Sequence, residues 1–190
     1  MRTHYTLSKH FISVIFTILV SFFILTNAYP EEVTPLSYTD VIKVEPATTK
    51  ELYIRAKLWF ANSFVDSKNV LEIEDKDAGI LIGKGTFPYE PNVFSASSLT
   101  RGNIRFMVKI MVKDGRYKYS FSDFTHQGSY STVARPINFG LLTSATTCPK
   151  IQGTSKGTRN KLWPHLKQVC EQTAAELITT LKKKMAEPVS

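Results

Sequence analysis

The sequence predicts an α+β domain of order β-α-β4-α, a mostly antiparallel sheet with two helices packed on one face. Three observations carry this: a capped amphipathic stretch near residue 50, a hairpin with unbroken alternation from Ile104 to Ser122, and an amphipathic C-terminal stretch after Pro164.

The elements follow in chain order. Residues 1–28 read as a signal peptide, in which Arg2 and Lys9 form a charged start and Phe11–Leu25 is apolar almost throughout. Thr26-Asn27-Ala28 then offers small residues for cleavage before Tyr29. The alternative, a retained anchor, fits less well, because the apolar run as a helix covers roughly 22 Å of a ~30 Å hydrocarbon core. No cysteine stands near its end for lipidation. Residues 29–37, with Pro30 and Pro35, read as a linker. Residues 38–185 form the domain. Its first strand is Val41–Val44. Thr48 then caps a helix that runs to about Phe64, with Glu51 positioned to reach back to the cap. Leu52, Tyr53, Ala56, Trp59, Phe60 and Phe64 share one face of it; Arg55, Lys57 and Asn62 lie off that face.

Val70–Glu74 and Ile80–Phe87 are strands joined by a turn, and Gly83 and Gly85 in the second imply a bulge or a closely packed helix. Residues 88–102 read as a loop. In the hairpin, Asp114-Gly115 supplies a two-residue turn, which sets Val112 against Tyr117, Ile110 against Tyr119 and Val108 against Phe121. These six point to the core. The opposite face carries Arg105, Lys109, Lys113, Arg116 and Lys118, with methionines between them. Residues 125–160 read as a long loop insert, either partly disordered or the working loop. A final helix starts near Pro164 and ends at Lys182-Lys183-Lys184, which match its dipole.

The 190-residue chain has a formal charge of +8, and cleavage removes Arg2 and Lys9 with no acid. That basic excess suits an anionic surface, or only solubility. Export makes ATP-driven and nucleotide-reading roles unexpected and permits disulfides. Cys148 and Cys170 either pair, for roughly 3 kcal/mol by chain entropy, or stand as thiols.

Few residues point to catalysis. After cleavage only His126 and His165 remain, a loop and a helix-surface histidine without metal-ligand spacing. Gly153-Thr154-Ser155-Lys156-Gly157 spells a nucleophile elbow but lacks the strand that such a turn follows. Gly83-Lys84-Gly85-Thr86 misses phosphate-loop spacing. Glu74, Asp75 and Asp77 lack the alternation of a calcium loop. No catalytic residue, metal site or cofactor is expected. The cationic sheet face is the candidate binding surface, set against the plainer reading of a solvated face.

Three blocks resemble one bacterial family: Leu52–Phe60, Gly79–Gly85 and Lys113–Phe124, in that order, with Trp163 and the helix ending Lys184-Met185. It is an exported domain of unknown function described as having a TATA-binding-protein-like fold. The resemblance spans roughly residues 38–185. It implies the same β-α-β4-α order and a periplasmic or secreted location in a Gram-negative bacterium, and it supplies no catalytic residues. Nucleic acid is not expected as a partner, because only the shape of the fold points to it.

The leading expectation is therefore a non-enzymatic binding or structural domain of the cell envelope. Its partner would be an envelope protein or an anionic polymer. Membrane contact would come only through an uncleaved leader, the case of a membrane-anchored accessory protein. The enzymatic alternative is a hydrolase or thiol enzyme using Cys148 or Ser155 with a histidine.

Overall fold

Strand β1 (Tyr38–Lys43) leads into helix α1 (Thr49–Ser63), then β2 (Leu71–Asp75), β3 (Ile80–Tyr89), a one-turn helix α2 (Ser97–Thr100), β4 (Gly102–Lys113), β5 (Arg116–Gly128), β6 (Gly140–Leu141) and the long helix α3 (Lys156–Ala186). The computed structural model describes residues 32–64, 70–91, 97–130 and 135–188. The signal peptide read over 1–28 lies outside the described residues. No helix among them is long and apolar enough to cross a membrane.

The sheet has the order β1-β5-β4-β3-β2, with β6 added on β5, and every pairing is antiparallel. The predicted β-α-β4-α order is observed, and both long helices cover one face. The hairpin register is as expected: Val112 opposes Tyr117, Ile110 opposes Tyr119 and Val108 opposes Phe121. All six are buried.

Helix α1 starts as its sequence predicts, with both halves of a capping box: Thr48 accepts from Glu51 N, and the Glu51 carboxylate accepts from Thr48 N at 2.8 Å. Its buried face holds Leu52, Tyr53, Ala56, Trp59 and Phe60. The two glycines of β3 are the floor for this aromatic face. A Cβ at Gly83 would meet Phe60 Cε1 and Val70 O at 2.8 Å each, and one at Gly85 would collide with the Phe106 ring. The glycines thus mark close helix and ring packing.

Four expectations are corrected. Arg55 is not off the buried face; it is 6% exposed and its guanidinium donates to Met185 O at 2.9 Å. The end of α3 lies over it, and a helix C-terminus presents unpaired carbonyls that suit a cation. Helix α3 begins at Lys156 rather than near Pro164, because Ser155 caps it by accepting from Thr158 N at 3.0 Å. Buried Trp163 fixes this early turn by donating to Ala145 O at 2.8 Å. Residues 125–160 are not one loop: Thr125–Gly128 extend β5, Gly140–Leu141 form β6, and α3 takes the end. The segment read as a linker is partly paired, with Leu36 N donating to Leu142 O and Ser144 N to Thr34 O.

One irregularity explains how β5 runs so long. The register shifts opposite Arg105–Met107, and Asp123 there has φ 59°. Before the bulge Tyr117, Tyr119 and Phe121 face inward; after it Phe124, His126 and Gly128 do. One extra residue changes the parity, so the apolar face continues across it.

Candidate functional site

The sheet has two unlike faces. Inward positions of β3, β4 and β5 meet the helices and are rich in aromatic rings. Outward positions meet none of the described residues closely enough to be buried: every one from Thr39 on β1 to Gln127 on β5 is exposed or partly exposed. All five cations expected on this face are there. Arg105, Lys113, Arg116 and Lys118 are exposed and Lys109 is partly so. Among the described residues none of the five enters an ion pair within 4.0 Å.

The register sets their arrangement. Lys43, Arg116 and Lys113 lie in one row across β1, β5 and β4. Like charges directly opposite each other destabilise a sheet. Here they flank a turn that is fastened in place: Asp114 accepts from Thr49 N and Thr49 Oγ1, both at 2.7 Å. Those two bonds hold the Asp114 carboxyl below the usual range, with the side-chain bond the larger cause. The next rows bring apolar side chains between the cations. Val41 opposes Lys118, which opposes Met111, which opposes Ile80. Ser120, Lys109, Ile82 and Ile73 form the row after it. Met107 lies beside Ser122 on one side and Lys84 on the other. Lys84 is neutralised by Glu72 at 2.7 Å.

The sequence reading missed Lys43 and the isoleucines. Their place on the face depends on which strands lie beside the hairpin, and alternation within one strand does not reveal that. One signal was available: Ile80-Leu81-Ile82 is apolar at consecutive positions, the pattern of a strand buried on both faces.

The residues of the enzymatic alternative are not brought into a working arrangement. His126 lies on β5, not in a loop, and is 1% exposed. Its Nε2 lies 3.0 Å from Thr100 O, and Nδ1 accepts from Phe139 N at 3.2 Å. Both nitrogens are engaged, which sets a neutral ring with the proton on Nε2. Burial pushes its pKa down to about 4, against a smaller opposing effect of the Thr100 bond. His165 Nδ1 pairs with the Tyr89 hydroxyl at 2.9 Å. Ser155 is the cap of α3. Cys148 and Cys170 are both free thiols, the first partly buried and the second buried. Burial raises both, Cys170 to about 12, while Arg159 pulls Cys148 weakly the other way. Low thiolate content makes a poor nucleophile. The described residues contain no group of three or more His, Cys, Asp or Glu side chains placed to hold a metal ion.

A cleft of about 500 Å³ lies between α1 and α3, near Trp59, Leu177 and Thr180. Its most specific polar groups are used internally: the Trp59 indole N–H donates to Thr180 Oγ1 at 3.0 Å, and Lys184 pairs with Glu187 at 3.0 Å.

The family match and one solved structure agree with the architecture. Residues 38–127 match a family described as a domain of unknown function (DUF4468) with TBP-like fold. A TBP-like protein from Parabacteroides distasonis, known from its crystal structure, superposes with a TM-score of 0.53 at 14% identity, over 78% of this chain and 93% of that one. A DUF4468 family protein from Bacteroides ovatus gives a TM-score of 0.47 at 14% identity, over 86% and 94%. No curated protein matches in sequence.

Proposed function

Taking the chain as a member of the DUF4468 family, for which no function is established, we propose that it is a non-enzymatic binding domain of the cell envelope. It acts through the open face of its sheet. The observation that carries this is the row Lys43–Arg116–Lys113 together with Lys109 and Lys118. These cations share one face that none of the described residues covers, and no described carboxylate lies between them. Folding gains nothing from opposing like charges, whereas an anionic partner does. The engaged histidines and raised thiols support the non-enzymatic part. The leader supports export, with cleavage before Tyr29 as the expected processing.

The test is in-cell photocrosslinking. A photoreactive residue replaces Ser120 on the open face, or Glu176 on the helical side, in the natively exported protein. Adducts from position 120 that disappear with Lys109→Glu and Lys118→Glu support the reading. Adducts only from position 176 overturn it. Sequencing the N-terminus of the same material tests export: a start at Tyr29 supports it, and a start at Met1 overturns it.

A further inference from the structure

Accepting the open face as the binding surface, we propose that its seat is made for an amphipathic helix with acidic side chains, contributed by a partner protein. Ile73, Ile80, Ile82, Met107 and Met111 lie on adjoining strands and form one apolar patch. Arg105, Lys109, Lys113 and Lys118 border it or stand within it, while Asp75, opposite Ile80, and the Glu72–Lys84 pair close its β2 edge. An antiparallel sheet with one wet face reads apolar-in and polar-out. Strand β3 at Ile80-Leu81-Ile82 and β4 at Ile110-Met111-Val112 break that rule, because both of their faces are apolar. They have the composition of strands covered on two sides, yet α1 and α3 cover only one.

Charge decides among occupants. A second copy set face to face would bring Lys109, Lys118 and their neighbours against the same cations. An anionic polymer that binds by ring stacking would find no platform, since no outward position of β3, β4 or β5 carries an aromatic ring. The patch lies on strands, level with its cations, which suits a rod laid across it. Isoleucines and adaptable methionines suit the apolar stripe of a helix. The free lysines on its β4–β5 side suit carboxylates along that side of the stripe. A docked helix would complete a helix–sheet–helix sandwich.

The test uses synthetic helices of about five turns that share one leucine stripe, with either glutamate or lysine on the polar face. A third peptide carries the same glutamates with serine in place of leucine. Vesicles of phosphatidylglycerol are the fourth probe. The natively exported protein is titrated with each, and backbone amide shifts are followed. We expect the glutamate helix alone to bind, with shifts concentrated in β3 and β4. Binding should weaken roughly tenfold in Lys109→Glu and again roughly tenfold in Met111→Ser. Both positions are at least partly exposed, and unchanged circular dichroism confirms folding of the variants. Equal binding of the two helices removes the role of charge, and equal binding of the serine peptide removes the apolar patch. Binding of vesicles without the helix assigns the face to lipid. Each of these results, or no binding at all, overturns the helix proposal. Persistent crosslinks from position 120 would leave the broader reading standing; their loss as well would end both.

Discussion

The two faces of this sheet are built from the same strands and differ in almost every other respect. Inward, the rings of Phe106 and Phe124 stack at 5.4 Å, and Trp59 meets Phe121 edge-on at 6.1 Å. Outward, aliphatic and cationic side chains alternate with hydroxyls and end in solvent. Alternation along β4 and β5 assigns each residue to one face or the other, so residues that build the core and residues that meet solvent are interleaved. The lesson is that the inward set carries stability and the outward set is largely free of it.

Breaking the inward set should have the largest effect. Phe121→Ala removes a fully buried ring and should cost about 3–5 kcal/mol in denaturant unfolding. Acid should come next. The folded pKa of His126 is depressed to about 4 from 6.5, so its contribution is fully present above pH 6.5 and fades as pH falls toward 4. The loss should total about 3 kcal/mol. A His126→Gln variant, less stable at pH 7, should show a flatter stability profile over that window. Gly83→Ala should cost about 1–3 kcal/mol, since its Cβ meets both a ring and a carbonyl oxygen at 2.8 Å. Thr48→Ala, which removes the side-chain half of the capping box, should cost about 1 kcal/mol. The smallest effect belongs to the open face: Lys109→Glu should move stability by less than about 0.5 kcal/mol while removing binding. A large loss of stability there would erase the contrast between the faces.

What the sequence reveals follows the same division between local and distant causes. The hairpin register was legible because a two-residue turn and a period of two agree over adjacent residues. The capping box was legible because its parts are three residues apart. The continuation of β5 past Phe121 was not, since a single residue at Asp123 switches the parity and no composition signal marks it. Arg55 was misplaced because its partner, Met185, is 130 residues away. The five cations of the candidate site were legible from alternation alone. Their apolar company from β2 and β3 was not, because it depends on strand order.

That distant pairing sets a timetable for the molecule. Arg55 can leave water without heavy cost only when the carbonyl of Met185 reaches it. Met185 is 130 residues beyond Arg55, so a polypeptide made from its N-terminus holds α1 hydrated on that side until α3 has emerged. The same delay applies to β1, whose partner β5 is made much later. A domain held together by such distant partners therefore closes late in its synthesis, once α1 and α3 are both available.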